Sequence, residues 1–256
     1  MYSKSVHAET SLQALFAFIK ANPLGVLTTA IPSSANPLIQ STHIPWVLDA
    51  YTDDPTAPVK GRLRGHMARQ NPQSKSMIEA CTESGTNQLQ QEVMILFTGA
   101  DHHYVTPKFY TETKPTSGKV VPTWNYAAAQ IYGKATVYYD SSASETSDFL
   151  SQQLHDLSQH CETCIMGFTG TDGKSGPWEV SDAPERYIDL MKKAIIGIEV
   201  TIERIDGKVK MSQEMSAGDR QGVVHGFKSL ESDVGGRIAA LVEECGMKKD
   251  SQKSSR

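Results

Sequence analysis

The chain has 256 residues, 39% of them hydrophobic and 21% charged, which fits a large globular domain and excludes a wholly disordered chain. A formal net charge of −4 argues against direct DNA binding, which needs a basic face to neutralise phosphates. No apolar run approaches the ~20 residues of a membrane helix, and no cationic start precedes an apolar core, so the expectation is a cytoplasmic protein without membrane contact.

In chain order, Thr10 with Gln13 predicts a capping box for a first helix, whose apolar face is Leu12, Leu15, Phe16 and Ile19. Asn22-Pro23 stops it, and Gly25 to Thr29 follows as a short β-branched strand. Pro37 to Leu48 reads as a second strand interrupted by Pro45, which marks an edge or a bulge. Residues 49–60 are a polar loop. The run Arg62 to Asn71 predicts a strand end turning into a helix near Gln73 to Ala80. Glu92 to Thr98 is a continuous apolar run, expected as a strand buried on both faces, and His103 to Thr106 continues the sheet. Thr111 to Gly118 reads as loop, and Gln130 to Tyr139 alternates as a strand.

Helices are then expected at Ser144 to His160 and from Ala183-Pro184 to Lys193, flanking a glycine-rich loop at Gly167 to Pro177. Ile196, Ile198, Val200 and Ile202 alternate as a strand, and Ile205-Asp-Gly-Lys208 predicts a hairpin turn with a return strand to Ser212. Val234, Ile238, Leu241, Val242 and Cys245 mark a last helix, and 247–256 is expected to be a disordered tail. The domain expectation is one domain over 1–246 with a helical insert at about 144–194. Strands on both sides of a helical insert, without β-α-β-α alternation, predict an α+β, mainly β fold: an antiparallel barrel with peripheral helices.

The run Arg62-Leu-Arg-Gly-His-Met-Ala-Arg69 carries the most chemistry. Arg62, Arg64 and Arg69 suit an anionic cofactor tail. His66 is placed to ligate a metal or meet a flat cofactor, and Gly65 permits close approach. An exposed basic turn with a satisfied histidine is the competing reading. Trp124 and Asn125 suit either the wall of a flat ring or a dimer anchor. His43 suits a distal polar group or simple packing, and Lys119 and Lys210 are weaker candidates for an anionic tail. Cys161 and Cys164 form a lone C-x-x-C without a second ligand pair, so reduced thiols are expected. No nucleophile elbow, H-E-x-x-H, P-loop or helix-turn-helix pattern is present.

Six motifs stand in order: Asn22-Pro-Leu-Gly-Val-Leu; Thr42-His-Ile-Pro; Arg64-Gly-His-Met-Ala-Arg-Gln-Asn-Pro72; Val121-Pro-Thr-Trp-Asn-Tyr-Ala-Ala128; Asp182-Ala-Pro with Tyr187; and Ile196 through Gln213. Together they resemble the PaiB-type FMN-binding split-barrel family, whose members are often labelled transcriptional regulators, over about residues 12 to 230. The resemblance implies an antiparallel Greek-key split barrel, a homodimer and a small-molecule substrate. One branch, the piperazate synthases, binds haem b and forms a nitrogen–nitrogen bond, and its axial iron ligand corresponds to His66. Haem b at His66, with an N-hydroxylated amine as substrate, is therefore the leading expectation. An FMN-binding oxidoreductase or a non-catalytic regulator is the alternative. The chain departs from the family pattern at Gly99 to Tyr104, where one extra residue leaves the equivalence of His102 and His103 open. It departs again at residues 159–164, and at Glu214, where the family usually has asparagine.

Overall fold

The fold is described from a computed structural model covering residues 1–254. The strands are β1 (Ala8–Glu9), β2 (Leu24–Ala30), β3 (Ile39–Pro45), β4 (Val47–Ala50), β5 (Gly61–Ala68), β6 (Gln88–Thr98), β7 (His103–Val105), β8 (Thr123–Tyr138) and β9 (Ile195–Lys210). The helices are α1 (Leu12–Ala21), α2 (Pro72–Ser84), α3 (Thr113–Ser117), α4 (Ser144–His160), α5 (Glu185–Lys193), α6 (Ala217–Lys228) and α7 (Asp233–Ser254). The residues group into two compact units, one of Ser11–Phe97 with Gln130–Ile205, the other of Met1–Thr10, Thr98–Ala129 and Asp206–Arg256.

The first unit is the barrel. Its strand order is β3-β2-β6-β8-β9-β5-β4. The two ends of that path, β3 and β4, are consecutive in the chain and separated by Trp46 alone. The chain itself therefore passes from one end of the sheet path to the other. Pro45 carries no amide hydrogen, so the ladder breaks there, and the Trp46 amide instead donates to Pro23 O at 2.9 Å. Trp46, Leu63, Ile95, Phe97, Ile131 and Ile198 are among the fully buried residues. β6 is less buried than the sequence suggests. Val93, Ile95 and Phe97 are enclosed, but Met94 and Leu96 on the opposite face are only half-buried.

Local signals explain the helices. Ser11, not Thr10, caps α1, its hydroxyl accepting from the Ala14 amide at 3.3 Å. Asn71 caps α2 with Pro72 in the first turn, and Gly85 ends it at φ 69°. α4 begins and ends at the residues the apolar spacing predicts.

The second unit differs more from expectation. Asp206-Gly207 makes no hairpin, because β9 runs on to Lys210 and Gly207 and Lys208 pair with Glu9 and Ala8 of β1. That ladder satisfies the backbone groups a turn would have left to solvent. Part of the expected 111–118 loop is helical, as α3. The glycine-containing sequence of α6 gives little helical periodicity, although Ser216 with Asp219 is a cap signal, the Ser216 hydroxyl accepting from the Asp219 amide. α6 and α7 bury Val223, Val224, Phe227, Ile238 and Val242 against Val105 and Met211. α7 continues to Ser254 where a disordered tail is expected from the sequence, tied by Lys249 Nζ to Met215 O at 3.2 Å and by the Arg220–Asp250 ion pair. Residues 255 and 256 of that expected tail lie outside the described residues.

Candidate functional site

Strand alternation sorts the β5 run into two faces. Leu63, Gly65 and Met67 turn to the interior, and Arg62, Arg64 and His66 share the other face, on which Arg64 and His66 meet α4. A Cβ on Gly65 would lie 2.8 Å from Ile44 Cγ2 and 2.9 Å from the Trp46 ring. The close approach that this glycine permits is therefore that of the barrel's own tryptophan.

Arg64 is engaged within the protein. Its Nε and Nη2 donate to Asp49 at 2.7 and 2.9 Å, and Nη2 also donates to Asp156 on α4 at 2.8 Å. The Asp49 bond, more than burial opposes it, raises the guanidinium pKa above its ordinary value. Arg62 donates to the same Asp49 at 2.7 Å and to Glu199 at 2.8 Å. Arg69 donates through Nη2 to Tyr139 O at 2.7 Å and through Nε to Lys193 O at 3.2 Å. Arg64 and Arg69, expected to clasp an anionic tail, are thus bound to the protein's own carboxylates and carbonyls.

His66 is half-buried opposite Gly197 of β9, with Nδ1 2.7 Å from Gln153 Oε1. An amide oxygen only accepts, so Nδ1 carries the hydrogen and Nε2 keeps its lone pair. Burial pushes the imidazole pKa down against the opposing Gln153 bond, which favours the neutral ring. Gln153 Nε2 and Arg64 Nη1 are both buried without a hydrogen-bond partner among the described residues. His43 is exposed on β3.

Trp124 and Asn125 belong to the second unit, on opposite faces of β8. Trp124 is 54% exposed, with the His102 and Tyr104 rings at 6.5 and 6.1 Å. Asn125 is fully buried, its Oδ1 accepting from the Ser212 hydroxyl at 3.0 Å while Nδ2 has no hydrogen-bond partner among the described residues. Among the described residues no group of three or more His, Cys, Asp or Glu side chains is placed to hold a metal. Burial pushes the Cys81 thiol up to about 11 and raises that of Cys161, which keeps both protonated at neutral pH.

The second unit also holds a cleft of about 580 Å³. Its walls bring together Lys4, Lys119, Lys208 and Lys210 with only two carboxylates, Glu214 and Asp219. The Asp219 carboxylate is taken up by the Glu112 and Thr113 amides at 2.9 and 3.1 Å and by the Thr113 hydroxyl. Lys210 Nζ donates to Trp124 O at 2.9 Å and to the Thr123 hydroxyl. Two segments singled out in the sequence, 121–128 and 208–213, thus meet at one cleft. Lys4 and His7 carry no local signal and arrive there through the β1–β9 pairing.

A profile of the family described as "Putative FMN-binding domain" matches residues 1–204. An uncharacterized protein of Aspergillus fumigatus is 59% identical over 261 residues, covering 98% of this chain and 99% of the relative. Protease synthase and sporulation protein PAI 2 of Bacillus subtilis is 23% identical over 244 residues, 95% of this chain and 97% of the relative. Among solved structures, a conserved hypothetical protein of Mycobacterium tuberculosis aligns with a TM-score of 0.46 at 12% identity, over 84% of this chain and 94% of that one. The flavocytochrome Anf3 of Azotobacter vinelandii aligns with a TM-score of 0.43 at 12% identity, over 82% and 72%. Likeness at that level bears on neither cofactor nor reaction.

Proposed function

We propose, from the premise that this chain belongs to the FMN-binding domain family, that the lysine-lined cleft of the second unit binds flavin mononucleotide through its phosphate. The carrying observation is the surplus of four ammonium groups over two carboxylates in a cleft of cofactor size, about 580 Å³. A phosphate dianion is what such a donor set favours, with Lys119 and Lys208 holding it and the Thr113 and Ser216 hydroxyls close by. A bound flavin would supply redox chemistry. The chain's own part is to bind and orient it.

The test is flavin fluorescence quenching. Lys119→Ala combined with Lys208→Ala is expected to weaken FMN binding about tenfold per lysine, the value of roughly 1.4 kcal/mol each. Riboflavin, which lacks the phosphate, should bind both proteins equally. FMN affinity unchanged in the double variant would remove the cleft as the phosphate site.

One observation favours a second reading, haem b at His66 with an N-hydroxylated amine as substrate for nitrogen–nitrogen bond formation. An axial iron ligand needs a neutral ring nitrogen whose partner nitrogen is held by an acceptor, and Gln153 is such an acceptor for Nδ1. Expression with haem precursor and riboflavin both supplied separates the readings. A Soret band that disappears in His66→Ala supports haem, and a flavin spectrum, or a Soret band indifferent to that substitution, rejects it.

A further inference from the structure

His7 is buried to 4% exposure, yet lines the cleft. Its Nε2 lies 3.0 Å from Glu214 Oε2, and the other carboxylate oxygen lies 3.6 Å from Lys210 Nζ. A carboxylate only accepts, so Nε2 carries the hydrogen, and a ring in its neutral form then has its lone pair on Nδ1. Nδ1 has no hydrogen-bond partner among the described residues. A histidine buried for packing alone normally satisfies both nitrogens. This one is held at one nitrogen by a carboxylate and left open at the other, the arrangement of an oriented base.

The charges around it are consistent with that role. Burial pushes the Glu214 carboxyl up, but the His7 bond, its own backbone amide and Lys210 outweigh that and hold it below the ordinary value, so it is ionised at neutral pH. Asp219 is consumed by Thr113 and the Glu112 amide, which leaves Glu214 as the carboxylate facing the ring. Lys4, Lys119, Lys208 and Lys210, with the Tyr2 and Tyr110 hydroxyls, are the other charged and titratable groups of the cleft.

We propose that His7 is the acid–base residue of this cleft, with Glu214 as its positioning residue. His7 Nδ1 takes a proton from an O–H or N–H group of an anionic ligand seated on the lysines. In that transfer the ligand's O–H or N–H bond breaks and an Nδ1–H bond forms. The electron pair stays on the ligand, whose new charge faces the ammonium groups, while Nε2–H remains on Glu214 and stabilises the imidazolium. No oxidant or reductant is involved. The proposal rests on the cleft as an anion site, not on the ligand being a flavin.

Histidine-labelled full-length protein provides the first test, by ¹⁵N NMR of the rings, with the His7 signal assigned by its loss in His7→Gln. A single Nε2–H tautomer is expected, becoming a tautomer mixture in Glu214→Gln. An Nδ1–H ring, or a ring indifferent to Glu214→Gln, overturns the proposal. The second test is ¹⁵N and ³¹P NMR of the FMN complex near pH 6, where a phosphate monoester, with a second pKa of about 6, still carries an O–H. In wild type the His7 Nδ1 signal should move on binding from the lone-pair to the N–H range while the phosphate signal moves toward that of the dianion, and the phosphate shift should be smaller in His7→Gln. A lone-pair Nδ1 in the complex, or equal phosphate shifts in the two proteins, rejects His7 as the proton carrier. If His7→Gln fails to fold, Glu214→Gln, at a residue with 28% of its side chain in solvent, takes its place: a smaller phosphate shift supports the proposal and an unchanged one rejects it. If wild type does not bind FMN, the flavin assignment falls while the tautomer measurement still decides the His7–Glu214 pair.

Discussion

Gly133→Ala is expected to disrupt the barrel although it adds a single methyl group. A Cβ at this position would lie 1.7 Å from Thr201 O and 2.9 Å from Thr201 C. Both are backbone atoms of β9, so no change of rotamer relieves the clash. β9 would have to shift, carrying with it Val200 and Ile202, which are fully buried. A cost of about 3 kcal/mol or more follows, at or beyond the upper end of ordinary overpacking. At roughly 2–4 °C per kcal/mol for a chain of this size, melting should fall by roughly 6–12 °C. Gly176→Ala is the control, because a Cβ there meets nothing within 4 Å. Thermal and urea unfolding followed by circular dichroism measure both. A loss below about 1 kcal/mol in Gly133→Ala would mean that β8 and β9 do not approach as closely as described.

The second large effect is expected at Arg64. Its side chain is 7% exposed and holds Asp49 and Asp156, which keep 27% and 26% of their surfaces in water. Arg64→Met fills similar volume but leaves two carboxylates without their shared cation. Removing one partner of a buried pair costs about 3–5 kcal/mol, and the residual hydration of the carboxylates places this case near 3. Adding Asp49→Asn and Asp156→Asn to Arg64→Met should recover most of the loss, which a simple cavity would not allow. The effect depends on pH with a definite sign. Burial pushes the Asp49 carboxyl up, but its bonds to Arg64 and Arg62 outweigh that and hold its folded pKa below the ordinary value. Its stabilisation is therefore complete above the unfolded carboxylate pKa of about 3.9 and is lost as pH falls through the lower folded value. Urea midpoints of wild type and variant should stay apart from pH 7 to about pH 5 and converge below about pH 4. A gap that is constant down to about pH 3 would rule out the ion pair as its source.

Local patterns carried much of the fold. The 3.6-residue spacing of Leu150, Leu154 and Leu157 locates α4, and the helix expected near Gln73 to Ala80 is α2, which runs one residue earlier and four later, because helical faces are set by neighbours three or four residues away. The i, i+2 spacing of Arg64 and His66 likewise puts them on one outward face of β5. Asp206-Gly207 shows where local preference yields: its turn propensity loses to the ladder that β1 supplies from the other end of the chain. The site divides in the same way. That Arg64 is a strong bidentate donor follows from its chemistry. That its donors are taken depends on Asp49 and Asp156, 15 and 92 residues away. His7 and Glu214 are 207 residues apart and carry no shared sequence signal, yet they meet at 3.0 Å. Charge, hydrogen-bonding capacity and strand face belong to a residue and its near neighbours. Whether a charge is spent or free depends on which distant backbone brings its partner within reach, and that is set by strand order and burial.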